Sequence, residues 1–391
     1  MMKNLAFLFG IMLCMVGRAE ISPKRASFVE TCGAFGNVFN TDDFLKPIPH
    51  YQAISLRYAR ASNGSSWEDF AFNMPFFGIG FYKPSFTDNP GLGNPFSLYV
   101  FRGNTLAQFT EKLGLVWEVG LGLSMNWDSY DPFDNPGNLT IGSPNNIHAG
   151  LRLYMDYFLS KHFEMKFGVD FNHFSNGASR KPNKGVNMGA LSVSLAYNFN
   201  PVNKGFLLKN PSMEIPETPR HISHDVQFIT SSRQTEFSTN GTGLPSPYVD
   251  RDFMVLGLAY SPMIVKGYKY KWGPSVRFLY DESSNARAWR ELNPEDGLEY
   301  NRIAISNFSD RLSFGLGLLG ELSLPVASIF ASIGYSVYHK HHMDVPFYQV
   351  LGVKAYLKDN FFATFGISAT QFTVAQFLYW SFGYSISSSG R

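Results

Sequence analysis

Residues Phe163 to Ser175 read FEMKFGVDFNHFS. The odd positions are Phe163, Met165, Phe167, Val169 and Phe171, followed by His173 and Ser175, whereas Glu164, Lys166 and Asp170 take even positions. Alternation with a period of two marks a strand, because successive side chains there point to opposite faces. One face is therefore a greasy row that ends in a candidate base and a candidate nucleophile. If that row faces lipid, the chemistry faces lipid too, which points to an enzyme acting on a membrane lipid.

The surrounding chain supports a lipid-facing row. It begins MMKNLAFLFGIMLCMVGRAE, with Lys3 as the charged start, an apolar run from Leu5 to Val16 and Ala19 before Glu20. This reads as a secretory signal peptide over residues 1–19, too short to span a bilayer. Leu13 before Cys14 argues against lipidation. Cys32 is then the one cysteine of the mature chain, which excludes a disulfide framework. Charged residues make up 16% of the chain, against about 25% in ordinary globular domains. Aromatics also reach 16%, and no stretch after the signal is long and apolar enough for a spanning helix. Only helices and closed β-barrels satisfy their backbone in lipid, so an exported, aromatic-rich chain of this kind predicts an all-β, antiparallel outer-membrane barrel. A net charge of +2 gives no support for nucleic-acid binding.

The strand pattern repeats. Leu115 to Trp127 sets Leu115, Trp117, Val119, Leu121, Leu123, Met125 and Trp127 against Val116, Glu118, Gly120, Gly122, Ser124 and Asn126. Ile147 to Leu159 places His148, Gly150, Arg152, Tyr154 and Asp156 on the inner row, and Asn187 to Phe199 places Leu191, Val193, Leu195 and Tyr197 outside. Ser160 to His162 makes a tight turn, whereas 128–146 and 176–186 are long and polar, so the strand from Phe163 rises outward and ends near the outer leaflet. Roughly eight strands precede Asn200 and roughly eight follow His224, about 16 in all. A connection rich in proline, expected on the periplasmic side, lies between them over residues 201–223. The expected domains are thus a barrel half over 20–200 and a second half over 224–391. These close as two small barrels or as one large one, and the sequence leaves both open.

The halves resemble each other. GLRLYM from Gly150 matches GVKAYL from Gly352, FGVDFNHFS from Phe167 matches FGISATQFT from Phe365, and LSVSLAYNF from Leu191 is echoed by LYWSFGYSI from Leu378. A degenerate tandem repeat explains this, as does the shared period of any two barrel strands. On the repeat reading, Gln371 and Thr373 stand on the lipid-facing row where His173 and Ser175 stand in the first copy, and the second half is catalytically dead.

A serine hydroxyl is a weak nucleophile until a neighbouring base takes its proton, and i, i+2 residues of a strand share a face. A third group is expected to hold the imidazole tautomer. Asn187 opens the next strand on the same outward row, and its side-chain carbonyl can accept from Nδ1–H.

The sequence here resembles the outer-membrane lipid A 3-O-deacylases and their acyloxyacyl-hydrolase-like relatives. The resemblance is carried by H-F-S-N-G at His173 to Gly177, P-N-x-G-x-N from Pro182 to Asn187, and N-P-G-N-L-T-I-G-S from Asn135 to Ser143. It covers Phe28 to Phe199 and leaves the second half unassigned. It implies an eight-stranded barrel whose outward surface carries a Ser nucleophile and a His base that cleave the ester-linked 3-hydroxyacyl chain of lipid A. Ser175 and His173 match those roles, and Asn176 with the backbone N–H groups near Gly177 falls at the oxyanion donors. No metal or cofactor is implied. The partner is lipid A or lipopolysaccharide in the outer leaflet of a Gram-negative outer membrane. One departure is that this chain has Asn187 where well-studied members carry a glutamate, and replacing the triad acid of a serine protease costs about 10⁴ in turnover.

Other signals have more than one reading. Arg180, Lys181 and Lys184 can ligate lipid A phosphates or provide general attraction to an anionic surface. Glu118, Arg152, Asp156, Glu164, Lys166 and Asp170 fall on inner rows, as paired charges filling the lumen or as the lining of a pore. His339, His341, His342 and Asp344 are candidate metal ligands without set spacing. Gly315 to Gly320 spells G-x-G-x-x-G but lies in an alternating strand, so no dinucleotide site is expected. The competing whole-chain reading is a non-catalytic barrel, a channel or surface scaffold that retains the motif.

Overall fold

A computed structural model describes residues 26–39, 50–87, 90–200, 203–324, 327–340, 345–357 and 360–387. The proposed signal peptide and His341, His342 and Asp344 lie outside them. The chain divides into two compact units, one of Glu20–Asn176 with Asn183–Glu217, the other including Gly177–Pro182 with Thr218–Arg391.

The first unit contains a closed antiparallel barrel of eight strands in sequence order. They are β1 (Ala26–Phe39), β2 (His50–Ala61), β3 (Phe76–Phe86), β4 (Gly93–Gln108), β5 (Leu113–Trp127), β6 (Asn146–Phe158), β7 (Phe163–Ser175) and β8 (Val186–Asn198). The second unit contains another closed barrel. Its strands are β9 (His221–Arg233), β10 (Phe253–Lys266), β11 (Tyr270–Asp281), β14 (Leu312–Ser323), β15 (Ala327–Tyr338), β16 (Phe347–Tyr356), β17 (Phe361–Thr370) and β18 (Val374–Ser387), with a separate hairpin of β12 (Arg287–Leu292) and β13 (Glu299–Ala304). The alternative of one large barrel is thereby settled in favour of two small ones. The stretches that resemble each other fall on the sixth, seventh and eighth strands of each barrel, so the likeness runs strand for strand.

The alternation read from the sequence holds in the first barrel. Phe163, Phe167, Val169 and Phe171 are exposed, as are Leu191, Val193, Leu195 and Tyr197, whereas Glu164, Lys166 and Phe174 are buried. Apolar side chains outside and polar ones inside invert a water-soluble barrel, and only lipid makes that arrangement stable.

The lumen is packed with paired charges. Glu30 of β1 accepts hydrogen bonds from Arg57 (2.8 Å), Arg152 (2.7 Å) and Lys166 (2.7 Å), and Arg57 also reaches Glu118. Arg152 pairs with Asp170 at 3.1 Å. The inner charges thus fill the barrel rather than line an open channel. The second barrel has its own buried set, in which Lys354 contacts Asp225 and Glu321, and Lys271 contacts Glu321.

Three expectations need correction. Trp127, placed on the outer row, is buried and donates its indole N–H to Ser124 Oγ at 2.7 Å. Asn126 before it has φ +65°, and a left-handed residue turns the next side chain to the other face. Gln371 and Thr373 are not on a lipid-facing strand, because β17 ends at Thr370 and residues 371–373 form a tight turn. Gln371 (φ 53°) and Phe372 (φ 61°) are both left-handed, and the Phe372 N–H donates to Gln349 Oε1 at 2.8 Å. Finally, His221 to Ser223 belong to β9 rather than to the connection, which also contains a short helix, α2 (Lys204–Lys209). An earlier helix, α1 (Trp67–Ala71), joins β2 to β3.

Because Glu30 is the carboxylate that Arg57, Arg152 and Lys166 share, and it is fully buried, Glu30→Gln should leave buried charge undercompensated and cost about 3–5 kcal/mol of stability. Urea unfolding from lipid vesicles measures this. A loss below about 1 kcal/mol, the value of an exposed pair, would mean that the lumen is hydrated.

Candidate active site

The site lies where β7 and β8 end in the long loop between them. Antiparallel pairing places His173 directly opposite Asn187. Side chains of such a pair share a face and approach closely. His173 Nδ1 lies 2.7 Å from Asn187 Oδ1. A carbonyl oxygen can only accept, so the proton sits on Nδ1 and Nε2 is left unprotonated. Ser175 follows two residues on, on the same outward row, and is buried.

Burial of Ser175 follows from the loop that folds over it. Gly185, with φ +77°, approaches so closely that a Cβ there would lie 2.8 Å from His173 Cε1 and 3.3 Å from Ser175 Cβ. Any side chain there would press on both His173 and Ser175, and the backbone conformation itself favours glycine. The Gly185 N–H donates to the Thr140 carbonyl at 3.0 Å. Thr140 is held in turn by Asn138, whose Oδ1 accepts the Thr140 N–H (3.1 Å) and the Ile141 N–H (3.0 Å), while its Nδ2 donates to the Asp128 carbonyl at 2.6 Å. The N-P-G-N-L-T-I-G-S segment is therefore a brace for the site.

Asn183 has a role that the sequence did not reveal. Its Nδ2 donates to Ser175 Oγ at 3.4 Å, and its Oδ1 accepts the Asn176 N–H at 3.1 Å. The Asn176 main-chain N–H is thus directed at Asn183 Oδ1, and Asn183 Nδ2 is a side-chain donor aimed at the serine. The signal was present in P-N-x-G-x-N, whose first Asn, Gly and last Asn all converge here. Beneath the site, the inward Phe174 stacks on His148 (ring centroids 4.5 Å apart) and packs against Trp127 (5.1 Å), so the strand end is anchored from the lumen side.

The other expected residues are less central. Gly177 and Arg180 and Lys181 fall in the 177–182 segment that groups with the second unit. Gly177 has φ +62°, and a Cβ there would lie 2.2 Å from Leu378 Cδ2. Arg180 pairs with Asp250 at 2.9 Å and Lys181 with Glu236 at 3.1 Å. Lys184 is exposed.

Comparison with known proteins matches both units. A family model described as lipid A 3-O-deacylase (PagL) matches residues 52–196, and one described as acyloxyacyl hydrolase, C-terminal domain, matches residues 222–388. The second half, which the sequence resemblance left unassigned, thus has a family model of its own. No curated protein matches the chain. Among solved structures, Neisserial surface protein A is 12% identical, covering 44% of this chain and 99% of its own, with a TM-score of 0.32. The β domain of the Bordetella autotransporter BrkA is 10% identical, covering 92% of this chain and 99% of its own, with a TM-score of 0.23. One family model thus lies along each barrel: the first barrel is similar to the lipid A 3-O-deacylases, and the second to the C-terminal domain of the acyloxyacyl hydrolases.

Proposed function

We propose that the first barrel is a serine esterase of the outer membrane that removes an ester-linked 3-hydroxyacyl chain from lipid A. The observation that carries this reading is the hydrogen bond of His173 Nδ1 to Asn187 Oδ1 on an outward row shared with Ser175. The deacylase family match over residues 52–196 supports the lipid A class of substrate. In the competing reading as a channel, the charges filling the first lumen would have to part.

The chemistry follows from the roles of the groups. Nε2 of His173 takes the proton of Ser175 Oγ as the oxygen attacks the ester carbonyl, and Asn187 holds the ring with that nitrogen free. The carbonyl oxygen becomes an oxyanion, to which Asn183 Nδ2 donates. Removing one such donor typically costs 10²–10³ in turnover. Collapse expels the sugar hydroxyl, which receives the proton from His173, and leaves a 3-hydroxyacyl ester on Ser175. Water, deprotonated by His173, then releases the 3-hydroxy fatty acid and restores the serine.

Position in the membrane suits a bulky amphiphile. With the tight turn at 160–162 on the periplasmic side, β7 ends at the outer leaflet, where lipid A resides, after export and cleavage of residues 1–19. Arg180, Lys181 and Lys184 lie in the adjoining loop and would meet the substrate's phosphates. Asp250 and Glu236 are largely exposed, so the existing ion pairs are weak and exchange for phosphate at little cost. The turn at Gln371 to Thr373 offers no base, and the second barrel is assigned no acyl transfer.

Expression of the full chain in a Gram-negative outer membrane, with lipid A weighed by mass spectrometry, should show loss of one hydroxyacyl chain, and Ser175→Ala should abolish that loss. Unchanged lipid A with a folded, surface-exposed protein would reject the esterase reading. Steady-state rates test the orienter. Asn187→Ala should lower turnover by roughly 10² or more. Asn187→Glu should match or exceed the native rate, because a carboxylate stabilises the imidazolium that the amide does not. Native turnover in Asn187→Ala would mean that another group orients His173.

A further inference from the structure

His148 of β6 faces the lumen of the first barrel and is 3% exposed. It belongs, with Tyr82, Tyr99, Asn172 and Phe174, to the same compact unit as His173, Ser175 and Asn187. Antiparallel pairing of β6 with β7 sets His148 opposite Phe174, Ala149 opposite His173 and Gly150 opposite Asn172. His148 therefore meets Phe174 directly and Asn172 on the diagonal, and these are the two residues that flank His173 in the chain.

It engages both. Its ring stacks on Phe174 with centroids 4.5 Å apart and planes 20° from parallel. Its Nε2–H donates to Asn172 Oδ1 at 2.8 Å, since an amide oxygen can only accept. Gly150 leaves room for that bond: a Cβ there would lie 3.3 Å from Asn172 Oδ1 and 3.7 Å from His148 Nε2. The His148 ring has little freedom of its own. Tyr82 of β3 and Tyr99 of β4 pack against it, each with centroids 5.3 Å away, and Tyr82 also stacks on Phe174 at 6.2 Å. A phenylalanine at 148 would supply the stack without the hydrogen bond, and a leucine would supply neither. Imidazole does both.

Successive side chains of a strand alternate between its faces. With Asn172 and Phe174 both fixed on the inside, the His173 backbone between them is fixed too, and its side chain leaves outward along one direction. That direction decides whether Nδ1 meets Asn187 Oδ1, 2.7 Å away, and where Nε2 points. We propose that His148 is a positioning residue for the deacylation: from inside the lumen it holds both neighbours of His173 and so aims the base on the opposite face of the strand. This rests on the serine-esterase reading. A misaimed base costs rate far more than binding, since a shift of about 1 Å can cost 10²-fold.

The test uses the full chain in vesicles containing lipid A with its ester-linked chains, comparing native protein with His148→Leu and His148→Phe. His148→Leu should lower kcat by about 10- to 100-fold with KM little changed, and His148→Phe, which keeps the stack alone, should recover part of that loss. In protein carrying isotope-labelled histidine, the magnetic resonance signal of the proton on His173 Nδ1 should shift or exchange faster in His148→Leu. A residue that only stabilises the barrel would instead lower the unfolding midpoint and leave kcat per folded molecule intact, which would overturn the proposal. An equal loss in both variants, or a native His173 signal in His148→Leu, would overturn it as well. If the native protein fails to deacylate, the esterase reading falls, and the His173 signal alone then decides whether His148 aims the ring.

Discussion

One buried carboxylate governs which way the first barrel faces. Glu30 carries no exposed side-chain surface and is met by Arg57, Arg152 and Lys166 from three other strands. Charges so deep are tolerable only when mutually compensated, so all four must point inward together. Strand geometry then leaves no choice for the rest. With Lys166 inside, Phe163, Phe167, Val169 and Phe171 are outside, and so are His173 and Ser175. The lipid-facing position of the catalytic candidates is thus a consequence of ion pairs in the lumen.

The site obtains its order from two layers. Toward the lumen, Phe174 is held by His148 and Trp127 and fixes the strand end. Toward the outside, Gly185 closes over His173 and Ser175, braced through Thr140 by Asn138. An outward-facing serine in lipid would otherwise lie on a bare strand, without donors to stabilise an oxyanion. On the proposed esterase reading, loop residues supply what the strand cannot, and glycine at 185 is what lets them approach.

Much of this was legible in the sequence because it is local. The spacing of His173, Ser175 and Asn187 follows from strand parity and one intervening loop, and the structure pairs His173 with Asn187 as that parity requires. What escaped depends on partners distant in sequence or on single backbone angles. Glu30 lies in the first strand, and its partner Lys166 is far along the chain. Trp127 obeys the alternation until Asn126 turns the chain left-handed. Gln371 and Thr373 keep the period of their strand on paper, yet the strand has already ended at Thr370. Asn183 was visible as part of a motif, but its contact with Ser175 depends on how the loop folds, which composition does not encode.

The claim on which the account stands is that Ser175 becomes acylated. Acid quenching of the full-length protein during turnover of lipid A, followed by proteolysis and mass mapping, reads this directly. The account predicts a 3-hydroxyacyl adduct on the peptide carrying Ser175, absent from the Ser175→Ala protein. Deacylated lipid A accompanied by an adduct on another residue, or by none under any quench, would contradict it.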